Sequence, residues 1–494
     1  MSKSEKRIRT KRFFNTLLVI IVITLFISTA IIAIIYTQGG KITLRGIVES
    51  GSIRLEIQPD DKENLVYIDG KLTKSDERLI NNITPGLHTI RIESTKFHSW
   101  EKVIEISPTY VTNIQVKLFP LEPELTQLTQ TNISKLFFSD DGSYAYYLVN
   151  DSLVQPDEQG LWRQRLEEQE LFFRRNSDPE KILSFDESVL SYFEDPELEV
   201  KIDYSNNKML IINPTNKTVT LFDPSKSNSQ DKLININEQI GFYPTRVNWF
   251  NNDNSIIVSN DEIIIEYNTV NKEKTIVDYM PNTKPIYDTN GEVLYLYTAN
   301  NKINRYQNKV AEIFEAPENL LLGNLSDLRL AKDGSSIIIK NDTGFYYYEV
   351  GKEKFIKVSD SGEILDISFD GTSILFNKNN QIVFTVVDKS LIDKSLLVQS
   401  TSSMIDVTLK PKFINNSNLV IINNYPLKKM QVSENDGSNI IDILSNTAID
   451  NGYYKFQKDG SSLTLMIEDT SEENVLNRNL FKLVLNTSSL PFNL

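Results

Sequence analysis

From about residue 121 onward one pattern recurs: an apolar strand, a polar turn and a second apolar strand. No other feature restricts the fold of this 494-residue chain as much. Clear copies occupy residues 136–148 (LFFSDDGSYAYYL), 328–339 (LRLAKDGSSIII), 364–376 (ILDISFDGTSILF) and 453–465 (YYKFQKDGSSLTL). Weaker copies turn at Asn206-Asn207, Asn252-Asp253, Asn290-Gly291 and Asn415-Asn416. Between Gly142, Asn207, Asp253, Gly291, Gly334, Gly371, Asn416 and Gly460 the spacings are 65, 46, 38, 43, 37, 45 and 44 residues. One four-stranded propeller blade takes about 40–45 residues. Helical solenoids share that period, but Asp-Gly turns flanked by β-branched and aromatic runs are strand signals. The pattern predicts a β-propeller of seven or eight blades over residues 121–494.

A ring must also close. Residues 124–130 (ELTQLTQ) alternate before the first full blade, and residues 480–485 (LFKLVL) form a strand with none after it. Pairing the two removes an exposed edge, so the first stretch is expected in the last blade. The long first spacing marks an insertion. There Asp178-Pro179 reads as a cap and first turn, and Ile182, Phe185, Val189 and Phe193 share one helical face, so a helix is expected around residues 178–197. Either it packs on the blade rim or it docks a partner. Trp162, Phe172 and Phe173 are the candidate docking residues, because this segment breaks the repeat. Glu167 and Glu168 read as a solvated face.

The repeat resembles the propellers of the TolB and WD40-like group in its Ser/Phe-x-Asp-Gly turns, without the tryptophan-aspartate signature of true WD40 repeats. That resemblance implies a fold and leaves function open, since propellers host enzymes, scaffolds and sensors alike.

The N-terminus sets the address. Residues 1–12 carry six basic side chains against Glu5, and residues 17–35 then contain no charge. At about 1.5 Å per residue such a run crosses a bilayer core of roughly 30 Å. Residues 13–36 are therefore expected to be a transmembrane signal anchor, with Phe13, Phe14 and Tyr36 near the interfaces. Ala30-Ile-Ile-Ala33 lacks the small-x-small spacing of a cleavage site. The positive-inside rule keeps the basic tail in the cytoplasm and the bulk of the chain outside. Past residue 12 there are 46 basic against 65 acidic residues, which disfavours nucleic acid and anionic lipid as partners.

Between anchor and repeat, residues 41–120 alternate with a period of two in five short runs, which predicts a small antiparallel β-sandwich. Pro59-Asp60, Val66-Tyr-Ile-Asp-Gly70, Thr84-Pro-Gly-Leu-His88, Phe97 with Trp100, and Leu118-Phe-Pro120 resemble a PEGA domain, a β module of bacterial and archaeal envelope proteins. The name-giving tetrapeptide is replaced by Pro59-Asp60-Asp61-Lys62, and the Gly-Thr-Pro stretch after the first turn is missing. The resemblance implies a surface location and adhesion within an envelope, and no activity.

The residue inventory excludes much chemistry. There is no Cys, and the two histidines, His88 and His98, both fall in the small module. Disulfides, thiol catalysis and cysteine metal sites are excluded, and two histidines alone do not close a zinc shell. The propeller carries no His for a Ser-His-Asp triad and no Gly-x-Ser-x-Gly. Asp140-Asp141, Asp333, Asp370, Asp436 and Asp459 sit in turns without the Asp-x-Asp-x-Asp spacing of a calcium loop, and turn chemistry accounts for them. No catalytic, cofactor or metal site is therefore expected. The reading is a single-pass membrane protein whose propeller is a non-enzymatic platform for an envelope protein or glycan. The alternatives are a carbohydrate-active propeller enzyme using carboxylates and a sensor acting through a membrane partner.

Overall fold

The computed structural model describes residues 3–37, 40–43, 46–73, 79–150, 155, 157–166, 178–184, 195, 197–226, 232–251, 253–280, 285–298, 302–307, 310–315, 325–350, 354–387, 398–406, 411–414, 419–424, 427–447, 449, 453–457, 460–470 and 476–485. The chain divides into two units, Met1–Glu122 and Pro123–Leu494.

One helix spans Lys3–Thr37. It holds no Gly or Pro, and Lys and Arg are good helix formers, so the basic stretch continues the apolar run as a single helix instead of forming a separate tail. Its window Thr16–Ala33, of mean hydropathy 2.8, is long and apolar enough to cross a membrane. Three hydroxyls in that window donate to carbonyls one turn back: Thr24 to Ile20, Ser28 to Thr24 and Thr29 to Leu25, each at 2.8 Å. Bonded in this way they cost little in an apolar medium.

After a hairpin, Gly40–Thr43 with Gly46–Glu49, two sheets face each other. One orders Leu79–Ile83, Gly51–Gln58 and Val111–Lys117; the other orders Lys71–Leu72, Leu65–Ile68, Gly86–Glu93 and Trp100–Ile106. Alternate residues of both, among them Ile53, Leu55, Ile90, Ile92, Trp100 and Ile114, meet in one core. The sandwich is not wholly antiparallel, as the alternation had suggested. Gly51–Gln58 pairs with Val111–Lys117 in parallel, Ser52 opposite Val111 through Gln58 opposite Lys117. These are the first and last strands of the sandwich, and the hairpins between them supply the long crossover that a parallel pair needs.

Among its described residues the second unit contains eight four-stranded sheets, each a propeller blade. Blade 1 consists of Lys135–Phe138, Tyr144–Val149, Gly160–Arg165 and Glu180–Ser184. Blades 2 to 7 begin at Glu199–Ile202, Arg246–Phe250, Ile286–Thr289, Asp327–Leu330, Glu363–Ile367 and Lys412–Phe413. Blade 8 is Tyr454–Phe456, Ser462–Thr470 and Leu476–Val484, and its fourth strand is Glu124–Gln127. The expected closure is present: Glu124 pairs with Val484 and Gln127 with Phe481. Side chains alternate between the two faces of each blade and interlock with its neighbours. Leu210 and Leu221 of blade 2 meet Val247 and Trp249 of blade 3. Leu136 and Tyr147 of blade 1 meet Met466 and Leu480 of blade 8, which joins the two ends of the ring.

The helix expected from Asp178-Pro179 does not begin there. Glu180–Ser184 is the fourth strand of blade 1, Arg163 pairing with Glu180 and Gly160 with Ser184. A third strand with half-buried faces offers a ladder of unpaired backbone groups, and filling it outweighs a weak helical spacing. The rest of the predicted helix, including Phe185, Val189 and Phe193, lies outside the described residues.

The Asp-Gly turns explain their own residues. In blade 6, Asp370 accepts from Ser368 Oγ at 2.8 Å and from the Thr372 N–H at 3.1 Å. In blade 1, Asp141 accepts in the same way from Ser139 Oγ at 2.6 Å and the Ser143 N–H at 3.0 Å. Gly371 takes φ +70°, and a Cβ there would fall 1.9 Å from Ser336 Oγ of blade 5. Both conformation and space demand glycine.

Candidate functional site

The first strand of every blade is an edge, bonded to a neighbour on one side only. In a closed ring these edges surround the central axis, so the axis is lined by backbone groups in search of partners. The sequence supplies charges to meet them. The penultimate residues of the eight first strands are Phe137, Lys201, Trp249, Asp288, Arg329, Asp366, Lys412 and Lys455, six of them charged. Apolar neighbours flank most of these, as in Leu328-Arg329-Leu330, where Leu328 and Leu330 are buried between blades and Arg329 is exposed.

Several of these side chains reach the next blade's edge. Lys201 Nζ donates to the Val247 carbonyl and to Asn248 Oδ1, each at 2.9 Å. In blade 3, where the penultimate position is the buried Trp249, Arg246 takes the role and donates to the Tyr287 carbonyl at 2.9 Å. Asp288 accepts from the Leu330 N–H at 2.9 Å, and Asp366 from the Phe413 N–H at 2.7 Å. Each bond joins one blade to the following one and satisfies an otherwise open strand edge.

Burial pushes the carboxyls of Asp288 and Asp366 above the usual range, although the backbone N–H groups they accept from and nearby cations pull the other way. Burial also pushes the Lys455 ammonium down, with Lys332 and Lys412 adding to the effect and Asp140 and Asp141 opposing it. The Tyr454 phenol beside it is pushed up to about 12, by burial first and then by the charge of Asp366. Chemically, the two carboxylates act as hydrogen-bond acceptors between blades.

On the turn-bearing end of the blades a second set of contacts runs from turn to turn. The backbone N–H groups of Tyr204 and Ser205 donate to Asp253, both at 2.8 Å. The Tyr204 hydroxyl passes beyond blade 3 and donates to the Asn290 carbonyl of blade 4 at 2.8 Å. Asn290 Nδ2 in turn reaches the Lys332 carbonyl of blade 5 at 3.1 Å.

Of the predicted docking residues, Trp162 is the one among the described residues. Trp162 belongs to the third strand of blade 1, half-buried against the cluster that closes the ring. Its Nε1 donates to the Glu158 carbonyl at 2.9 Å and Lys181 Nζ lies 5.6 Å over its ring. Phe172 and Phe173 lie outside the described residues. In the small module His88 Nδ1 is 2.7 Å from Asp69 Oδ2 and Nε2 is 2.6 Å from the Thr84 carbonyl, which ties the Asp69-Gly70 turn to the Pro85-Gly86 turn. His98 is elsewhere, its N–H donating to the Phe119 carbonyl at 2.9 Å.

Sequence reasoning missed the axial residues because it sought chemistry in the turns. Their signal was a charge just before the turn in six of the eight blades, often between two apolar residues, as in Leu365-Asp366-Ile367 and Tyr454-Lys455-Phe456.

No protein-family model matches the chain, and no curated protein matches it. Among solved structures it is similar to Hsv2 of Kluyvelomyces marxianus, with a TM-score of 0.39 and 11% identity over 65% of this chain and 94% of that one. It is also similar to hydrazine synthase of Kuenenia stuttgartiensis, TM-score 0.33 and 11% identity over 62% and 96% of the two chains. A third is the Cps50 (Swd1) β-propeller domain of Myceliophteria thermophila, TM-score 0.34 and 10% identity over 58% and 96%. At such identities the likeness concerns the course of the chain and nothing finer.

Proposed function

We propose that this chain is a membrane-anchored scaffold of a prokaryotic envelope, held by its N-terminal helix with the propeller outside the cell as a recognition platform for an envelope protein or glycan. The observation that carries the reading is the combination of an exposed apolar helix over Thr16–Ala33 with a ring of eight blades closed by its own N-terminal strand. A closed ring presents loops on a rigid support, which suits binding. The PEGA-like residues of the small module, above all the bonded Asp69 and His88, support an envelope address. The absence of Cys from the sequence gives a clean test of orientation. Single substitutions Lys3→Cys and Val270→Cys, in intact cells treated with a membrane-impermeant maleimide, should label at position 270 and not at position 3; the reverse pattern refutes the placement. Full-length protein in lipid nanodiscs should then retain envelope glycan or an envelope protein saturably and without turnover. Release of soluble glycan fragments would favour a carboxylate-based enzyme instead.

A further inference from the structure

The chain enters and leaves the small module at opposite ends. It enters at Gly51, which pairs with Ile83 while Ser52 pairs with Val111. The Ser52 N–H donates to the Tyr110 carbonyl and the Thr109 N–H to the Ser50 carbonyl, each at 3.0 Å. The second sheet reaches this end with Gly86 opposite Ile106, and a Cβ on Gly51 would meet Ile106 Cγ2 at 2.5 Å. The last strand, Val111–Lys117, runs away from it and finishes with Lys117 opposite Gln58.

The two ends differ in chemistry. At the entry end Leu87 is 71% exposed, Tyr110 70% and Val111 52%, with Pro85 and Pro108 exposed beside them. Glu105, opposite Leu87, and the turn Asp69-Gly70-Lys71 are the charged neighbours among the described residues. At the exit end Asp60, Asp61, Lys62 and Glu63 follow the first strand, and Lys96 bridges Asp61 at 3.1 Å and Glu63 at 3.4 Å. The outer faces are charged too: Arg54 and Glu56 alternate with buried Ile53 and Leu55, and Arg91 stands opposite Glu101.

The tether decides what lies next to the apolar end. The membrane-crossing window ends at Ala33 and its helix at Thr37. The hairpin then folds the chain back on itself, with Gly40 opposite Glu49. Thr37 and Gly51 are therefore at most about 20–25 Å apart, from the extended length of a residue and the spacing of paired strands. That is no longer than the first strand of the sandwich, Gly51–Gln58, at about 25 Å. The entry end is thus held close to the point where the helix leaves the bilayer.

We infer that this end of the small module docks on the lipid surface around the anchor, with Leu87, Tyr110 and Val111 set among the headgroups. The inference rests on the reading of Lys3–Thr37 as a membrane anchor. The partner is the boundary between headgroups and acyl chains. Two aliphatic side chains and a tyrosine, whose ring is apolar and whose hydroxyl is polar, suit that boundary, and no cluster of Lys or Arg stands beside them among the described residues to select anionic lipid. Held at the anchor and at the tip, the module stands with its charged exit end away from the bilayer.

The test uses full-length protein, one copy per phosphatidylcholine nanodisc so that contact between copies cannot mimic the result. The chain has no Cys, so one introduced cysteine carries an environment-sensitive fluorophore. Lipid spin-labelled on its headgroup should quench a label at Ser107→Cys, beside the tip, and leave one at Lys62→Cys, at the exit end, bright. Leu87→Glu combined with Tyr110→Glu should abolish the quenching at position 107, and Leu87→Ser with Tyr110→Ser gives the same reading if the acidic pair disturbs folding. A label at Tyr36→Cys should be quenched in every variant. If it is not, the anchor reading fails and this inference with it, whereas quenching at 36 without quenching at 107 overturns the tip contact alone. Equal quenching at 107 and 62 would lay the module flat on the bilayer and refute the placement. Quenching at 107 that requires phosphatidylglycerol, or is lost in high salt, would make the contact electrostatic and overturn it as well.

Discussion

The ring should open at its seam when the seam alone is weakened. Ile133 is fully buried in the cluster joining blades 1 and 8, and Thr129 Oγ1 accepts from the Leu480 N–H at 2.9 Å. Ile133→Ala removes buried methyl groups from a packed site, a loss of about 2–5 kcal/mol. Thr129→Ala leaves a buried N–H without its acceptor, a further loss of about 1–3 kcal/mol. The two positions are neighbours and couple, so the pair is expected to cost about 3–6 kcal/mol. Blade 8 borrows its fourth strand from Glu124–Gln127, and the loss should therefore appear as local opening of Leu476–Val484. Hydrogen–deuterium exchange of that segment should rise about 10²- to 10⁴-fold, since each 1.4 kcal/mol is a factor of ten. Ile257→Ala, in the cluster between blades 3 and 4, is the control and should loosen those blades without touching residues 476–484. If the double variant left exchange at 476–484 within threefold of the parent, Glu124–Gln127 would not be what holds the ring shut.

Three further outcomes follow from local contacts. The Asp69 hydrogen bond and the Thr84 carbonyl outweigh burial and raise the His88 pKa, so this bond stabilises the small module fully below the unfolded histidine value of about 6.5 and fades as pH rises through the higher folded value. Asp69 is half exposed, which limits the gain to about 1 kcal/mol; Asp69→Asn should flatten the slope of melting temperature between pH 6 and 9, and an unchanged slope refutes the assignment. Gly371→Ala forces a left-handed residue against Ser336 Oγ and should destabilise the propeller by about 1–3 kcal/mol in a urea titration, whereas Gly70→Ala, with nothing within 4 Å, should pay only for its backbone conformation. Burial raises the Asp288 carboxyl, so it favours folding most below the unfolded aspartate value of about 3.9 and progressively less as pH climbs through the raised folded value. Asp288→Asn should reduce that decline between pH 4 and 7; a variant with the parent's pH profile would show that Asp288 does not govern it.

Some of this architecture was legible because the physics is local. Asp-Gly turns between apolar runs mark hairpins, and counting four strands to a blade leaves blade 8 one strand short unless residues 124–130 supply it. The same counting would have placed Glu180–Ser184 as the missing fourth strand of blade 1, but Ile182 and Phe185 also fit a helical spacing, and five residues are too few for periodicity to arbitrate. The parallel pairing of Gly51–Gln58 with Val111–Lys117 was invisible for a different reason: alternation reports which face is buried, and it is the same for either strand direction. The axial contacts were hidden because the partner of Lys201 is a carbonyl 46 residues away and the partner of Asp288 an N–H 42 residues away, and a backbone group leaves no mark in a sequence.

The charges on the axis divide by what they bond to, and that division separates fold from function. Lys201, Arg246, Asp288 and Asp366 each meet a backbone group on the following blade, so each offsets the cost of leaving a strand edge unpaired. A shifted carboxyl in that setting reflects where the latch sits, and Asp288 and Asp366 would be shifted whether or not anything bound nearby. Lys412 and Lys455 occupy the same penultimate position in the next two blades, where the same role would call for a carbonyl acceptor, yet neither amine has one among the described residues. Packing alone would favour an apolar residue there, as blades 1 and 3 have in Phe137 and Trp249. Lys412 is exposed and its ammonium meets water, whereas Lys455 is half-buried and burial disfavours its charge, so the same position carries a cost in blade 8 that it does not carry in blade 7.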